Sequence, residues 1–103
     1  MKPLRYAFKN KKLKALYVEE KGANKYESSV VDAFFDVMTV IEAMPDEREL
    51  YTLKSLRFEK LQGKRGKRGE RSLRLNNQWR LIVTLEEDNE GTYLQIVDIE
   101  DYH

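Results

Sequence analysis

The sequence predicts an α+β domain, two N-terminal helices packed on a twisted antiparallel sheet. Three observations predict it. Apolar residues in the first half recur three and four positions apart. From Leu56 onward they recur every second position. The change of period happens once, so helices and strands are segregated along the chain. The 103 residues are expected to form a single domain, residues 1–103, with a radius of gyration of roughly 13 Å.

Leu4 to Phe8 alternate weakly and suit a first edge strand. Asn10 offers an N-cap, Leu13, Leu16 and Tyr17 fall at helical spacing, and Gly22 suits a left-handed position beyond a helix end, predicting a helix over 11–21. The second helix is marked by Ser29 and Asp32 as a capping box and by a stripe of Val30, Phe34, Val37, Ile41 and Met44. Val31, Phe35 and Met38 widen that stripe, Asp32, Asp36 and Thr39 lie opposite, and Pro45 stops the helix. A stripe this broad reads as core covering one face of a sheet. Residues 46–53 suit a further turn or two of helix.

After Lys54 the strands begin. Leu56 and Phe58 alternate with Arg57 and Glu59, and Gly63 to Gly69 reads as a glycine-punctuated basic loop. Leu73 and Leu75 alternate with Ser72 and Arg74, and Asn76-Asn77 suits a tight turn because Asn tolerates positive φ. Trp79, Leu81, Val83 and Leu85 alternate with Arg80, Ile82 and Thr84. Asp88 to Gly91 is a polar turn, and Thr92 to Ile99 is the last strand.

Charge narrows the function. Charged residues make up 36% of the chain, yet the net charge is +1. The sum hides segregation: residues 1–18 carry six bases and no acid, whereas 54–80 carry ten bases against two acids. Phosphate binding depends on clustered Lys and Arg rather than on the total, so the second stretch is the candidate nucleic-acid surface. The bland alternative is a solvated basic loop. With no cysteine there is neither a disulfide framework nor a cysteine-based zinc site. Walker, dinucleotide and HExxH motifs are absent. The acids at Glu86, Glu87, Asp88 and Glu90 miss the EF-hand spacing and read as a solvated turn. No apolar run reaches the length of a signal-peptide core or a membrane span, and the chain is expected to be cytoplasmic, with no cofactor or metal.

The alternation places Arg57, Glu59, Arg74 and Arg80 together on the face away from the helices. Ordinary antiparallel sheets also turn polar residues outward, but a generic face mixes signs, and the planar guanidinium suits phosphate oxygens. Metal-free RNA cleavage needs a base for the 2′-hydroxyl, cations for the phosphate and an acid for the leaving oxygen. Glu59 or His103 suits proton transfer, Arg74 and Arg80 suit the phosphate, and Tyr102 suits base stacking or backbone positioning. Arg57, Lys60, Lys64, Arg65, Lys67, Arg68 and Arg71 are candidate RNA-binding residues. A terminal His is by default a frayed one.

Leu61-Gln62-Gly63, the basic run, Ser72-Leu73-Arg74-Leu75-Asn76, Gln78-Trp79-Arg80 and the closing Asp101-Tyr102-His103 together resemble the HigB-type toxins of the RelE superfamily, also known as the plasmid maintenance system killer family. The shared pattern approximates RLxxLKG, SIRINxQWRI and a terminal DYH. It covers the second half of the chain; the early helices agree only in layout. The resemblance implies a RelE-like fold and a toxin of a type II toxin–antitoxin pair. Such a toxin is a metal-independent endoribonuclease that cuts messenger RNA in the ribosomal A site. It implies phosphate contacts for Arg74 and Arg80 and a terminal catalytic group of Asp101, Tyr102 and His103. The implied partners are the ribosome and a small DNA-binding antitoxin, with helix-turn-helix as its candidate fold, and no membrane. The chain departs from the pattern at Glu59, where some members carry His, and at Gln62, where the pattern has Lys. The basic loop is also longer, and Lys60 or Lys64 is a candidate replacement cation. Two rival functions stay open: a ParE-like inhibitor of DNA gyrase, and a non-catalytic nucleic-acid-binding module.

Overall fold

Residues 3–101 are described by a computed structural model; Tyr102 and His103, two of the candidate catalytic residues, lie outside the described residues. The chain runs β1 (Arg5–Phe8), α1 (Lys11–Glu19), α2 (Ser28–Glu42), α3 (Glu49–Thr52), β2 (Glu59–Lys60), α4 (Gly63–Lys67), β3 (Glu70–Arg74), β4 (Trp79–Asp88) and β5 (Gly91–Asp101), with single 3₁₀ turns at Ala23–Lys25 and Lys54–Leu56. The five strands lie in the order β1-β5-β4-β3-β2. Strands β2 to β5 form the expected antiparallel meander. The N-terminal strand joins its edge in parallel, Arg5 beside Tyr93 and Phe8 beside Ile96. The radius of gyration is 13.1 Å.

The helices form for the reasons their sequences give, with two amendments. Asn10 caps α1, its side-chain oxygen accepting from the Lys12 and Leu13 amides at 2.9 and 3.3 Å. That helix ends two residues earlier than expected, because Glu20 itself takes the left-handed conformation (φ 56°) ahead of Gly22. In α2 the capping box does not form. Glu27 is the N-cap, without a side-chain cap bond, and Ser28 and Ser29 already lie inside the helix. Helix α2 does not depend on that cap: Val30, Phe34, Met38 and Ile41 are fully enclosed, Val37 and Met44 nearly so. Burial of an amphipathic face, not capping, supplies most of a helix's stability in a folded domain.

These side chains meet Leu73, Leu81, Val83, Leu94, Ile96 and Ile99 from the sheet, with Leu13, Leu16, Leu50 and Leu56 closing the margins. Phe58, Leu75 and Trp79 pack against the same core. The alternation thus assigned the inward faces of β3 and β4 correctly. Where Ile82 pairs with Asp98 but Val83 pairs with Ile96, an extra residue in β5 makes a bulge that locally increases twist.

Two stretches differ from the expected elements. A strand over 56–59 is not formed. Lys54–Leu56 is a 3₁₀ turn, Arg57 is left-handed (φ 45°), and pairing to β3 is limited to Glu59 and Lys60. The basic stretch, expected as a loop, contains the helix α4. Gly66 permits it: a Cβ there would sit 1.9 Å from the Leu61 carbonyl oxygen.

Candidate functional site

The hairpin of β3 and β4 sets the site. Asn76 organises the turn, its side-chain oxygen accepting from the amides of Gln78 and Trp79 at 2.9 and 2.8 Å. The register that follows places Arg74 directly opposite Arg80. Because Leu73 and Leu81 point into the core, both arginines lie on the other face of the sheet. The turn then holds their head groups. Arg74 Nη2 donates to the Asn77 side chain, and Arg80 Nη1 donates to the Asn76 carbonyl at 2.8 Å.

The next strand over supplies carboxylates. Glu100 is the cross-strand partner of Arg80, and Asp101 is that of Trp79. Asp101 accepts from the Gln78 side chain at 3.1 Å. On the far side, Glu59 pairs with Ser72, two residues from Arg74 on the same face of β3. Glu59, Arg74 and Arg80 therefore share a face, as expected. Arg57 does not join them through strand alternation, because the left-handed turn takes it out of the sheet.

This face is less open than a solvated sheet surface. Ser72, Ile82 and Thr84 are buried, and Arg80 itself is only 8% exposed. Helix α4 and the link before it lie over part of this face. Leu61, Gln62 and Arg65 form one wall of a groove of about 290 Å³ whose other lining residues are Arg80, Ile82, Glu100 and Asp101. Arg65 fastens that wall. Its Nη1 and Nη2 donate to the two oxygens of Glu100 at 2.7 and 2.8 Å, and its Nε donates to Glu70 at 2.9 Å. The bonds to Glu100, then those to Glu70, hold the Arg65 guanidinium above its already high ordinary pKa.

The other basic candidates are dispersed. Lys64 and Lys67 are exposed on α4, and Arg68 lies 3.3 Å from Glu70. Lys60 and Arg71 are register partners, on the side of β3 that Leu73 occupies, where the Arg71 guanidinium sits 5.3 Å from the centre of the Phe58 ring. The ten bases of residues 54–80 are thus divided between two faces rather than gathered on one. Sequence reasoning missed Glu70 and Glu100 altogether and saw Asn76 and Asn77 only as turn formers. The Asn-Asn pair beside two arginines was the available signal for the second of these. Among the described residues, no group of three His, Cys, Asp or Glu side chains is placed to hold a metal, and no helix is long and apolar enough to cross a membrane.

The arrangement offers two opposed guanidinium groups held by a turn, with carboxylates flanking them on both neighbouring strands. Such a site can receive a phosphate between fixed cations and place proton-transfer groups at its rim.

Residues 6–103 match the family of HigB-like toxins, described as the RelE-like toxin of the type II toxin–antitoxin system HigB. No match is found among curated proteins. Among solved structures, the YoeB/ParE toxin from Agrobacterium tumefaciens is similar over 97% of this chain and 100% of its own, with a TM-score of 0.56 at 11% sequence identity. The YoeB–YefM complex from Staphylococcus aureus aligns over 97% of both chains at 18% identity, with a TM-score of 0.49. The fold that the sequence resemblance implied is therefore the one found.

Proposed function

The chain belongs to the HigB-like family of RelE-like type II toxins, and from that premise we propose that it is a ribosome-dependent endoribonuclease that cuts messenger RNA without a metal. The observation that carries this reading is the direct opposition of Arg74 and Arg80, on the face where Glu59 lies and beside a groove that Asp101 lines. Two fixed guanidinium groups match the charge that accumulates on a phosphate under attack.

The reaction consistent with these groups is transesterification. A base takes the proton of the ribose 2′-hydroxyl, the 2′-oxygen bonds to phosphorus, and the bond to the 5′-oxygen of the next nucleotide breaks. That oxygen leaves with a proton from an acid, giving a 2′,3′-cyclic phosphate and a 5′-hydroxyl. Arg74 and Arg80 stabilise the phosphate through the step. Glu59 and His103 are the candidates for base and acid, and Asp101, Tyr102 and His103 are the terminal catalytic group that membership of the family implies. Tyr102 serves as a stacking or positioning surface for the nucleotide.

The messenger in the ribosomal A site is the proposed substrate, and a small antitoxin, encoded alongside, the proposed inhibitor. A cytoplasmic location follows from a ribosomal target. The test is to express the chain in growing cells and follow messengers and chromosomal DNA together. Messengers cut within translated regions, with intact DNA, support the reading. DNA breaks and an SOS response with intact messengers would replace it by gyrase poisoning. Salt-sensitive nucleic-acid binding with no cut product would leave a non-catalytic binding module.

A further inference from the structure

The groove occupies one face of the sheet, and part of the basic run lies on the other, around two aromatic rings. Tyr51, in α3, is 56% exposed, although a tyrosine ring carries a large apolar area that folding normally buries. Its ring meets that of Phe58 edge-on, with centroids 5.0 Å apart and planes at 85°. Such a contact covers at most one face of the Tyr51 ring, so with more than half of the residue exposed a face stays open to solvent. The Arg71 guanidinium lies 5.3 Å from the centre of the Phe58 ring, and the exposed Lys60 is the cross-strand partner of Arg71. Among the described residues, neither Lys60 nor Arg71 takes part in an ion pair.

We propose that Tyr51, Phe58, Lys60 and Arg71 form a platform for single-stranded messenger next to the cut. An unpaired base stacks on the open face of Tyr51, and the two cations take the phosphates beside it. The inference rests on the reading that messenger RNA is the substrate. Every base has a π-face, so an exposed ring flanked by cations holds a single strand without reading its sequence. A guanidinium laid against a ring still presents N–H groups at its rim, where phosphate oxygens meet them. An acidic peptide would also suit Lys60 and Arg71, but the alternation of phosphate and flat base in one strand matches both the cations and the open ring. The position favours the strand being cut. Glu59 and Lys60 are successive residues of β2, the edge strand of the sheet, with Glu59 on the groove face and Lys60 on this one. The two faces adjoin along that edge, and one strand of RNA spans both by passing over it.

The test uses the full chain and a short single-stranded RNA carrying 2′-O-methyl groups throughout, which cannot be cut by its own ribose. Tyr51→Ala should weaken binding roughly 5- to 150-fold, the scale of losing one stacked base. Its slope of log K against log salt should stay parental, since no charge is removed. Tyr51→Leu keeps apolar contact with Phe58 without a ring and should bind as weakly, and it carries the comparison should Tyr51→Ala fail to fold. Tyr51→Phe should restore the parental affinity. An abasic strand, which keeps its phosphates, should bind the parent and Tyr51→Ala alike. The double variant K60Q/R71Q should instead flatten the salt slope by about 1.4, the value of two phosphate contacts on a single strand. Parental affinity in Tyr51→Ala and Tyr51→Leu overturns the proposal and leaves this face to a protein partner. A Tyr51→Ala loss that is equally large on the abasic strand overturns it too, because the ring would then support the structure rather than a base. So does a loss confined to purified ribosomes holding no messenger, which would assign the face to ribosomal RNA. Messenger cleavage in a translating extract separates this proposal from the nuclease reading. A parent that cuts nothing, yet binds RNA through Tyr51, overturns the nuclease and leaves the platform standing. A parent that cuts, matched by Tyr51→Ala in both assays, overturns the platform alone.

Discussion

Arg74 and Arg80 stand directly opposite one another on neighbouring strands, a placement that normally destabilises a sheet because like charges meet at short range. The turn between them offsets part of that cost. Asn77 accepts from Arg74 through its side chain, and Asn76 accepts from Arg80 through its carbonyl. Two guanidinium groups held side by side in this way suit the oxygens of a phosphate.

The first prediction follows from that relationship. Replacing Arg74 or Arg80 by Gln should each lower messenger cleavage by about 10²- to 10³-fold, as removal of a charge-stabilising donor does elsewhere. Thermal denaturation should separate them. Arg74→Gln should leave the melting temperature unchanged or slightly raised, since one of two like charges is gone. Arg80→Gln should lower it, because Arg80 is buried and anchors the turn. Parental cleavage by Arg74→Gln would remove this arginine from the site.

Asn76 tests the hairpin that presents the pair. Its side-chain oxygen satisfies two backbone amides, so Asn76→Ala should cost about 1–2 kcal/mol, or roughly 4–16 °C in melting temperature for a domain of this size. Asn76→Asp keeps the acceptor and should recover most of that loss. Equal destabilisation by both variants would mean the two hydrogen bonds are not what holds the turn.

Much of this fold was legible in the sequence, and the failures have physical causes. The α2 stripe from Val30 to Met44 and the alternation through Trp79, Leu81 and Val83 are long enough for periodicity to fix both the element and its buried face. Leu56 and Phe58 also reach the core, but two apolar residues two apart fit a turn as well as a strand, and here the turn at left-handed Arg57 prevails. Helix α4 carries no apolar period at all. It is held by ion pairs to Glu70 and to Glu100, the latter 35 positions from Arg65, and a contact that distant leaves no local signature. The site was legible to the same degree: Arg74, Arg80 and Glu59 were placed by alternation, whereas the carboxylates that restrain Arg65 were not.

Gly66 should be among the least replaceable residues of the basic run. A methyl group there would collide with the Leu61 carbonyl oxygen, so Gly66→Ala must displace α4 or the link before it. A loss of about 1–3 kcal/mol, the usual range for forced overpacking, should appear in chemical denaturation. Gly66→Ala with parental stability would show that the helix can shift without cost.

The side of the molecule away from the groove gives a pH prediction. Glu42 accepts hydrogen bonds from the hydroxyls of Tyr17 and Tyr6, and these two donors, Tyr17 first, hold its carboxyl below the ordinary value of 4.5. A depressed folded pKa stabilises above the ordinary value and is lost as the pH falls through the folded one. Burial, and then the bond to Glu42, raises both tyrosines above 10.0, so their contribution is intact below that pH and lost above it. The melting temperature should therefore fall more steeply for the parent than for Glu42→Gln between about pH 5 and pH 3. Parallel acid limbs for the two proteins would show that the cluster is not coupled to folding.

The chemistry of the cut ends tests the central claim most directly. Messenger bound in the A site of purified ribosomes would be incubated with the chain in the presence of EDTA, at a concentration that leaves ribosomes assembled, and the new termini identified by mass spectrometry. Attack by the 2′-hydroxyl between Arg74 and Arg80 predicts 2′,3′-cyclic phosphate and 5′-hydroxyl ends, formed by the parent and not by Arg80→Gln. Messenger left whole, cut equally by Arg80→Gln, or ending in 5′-phosphates would contradict it.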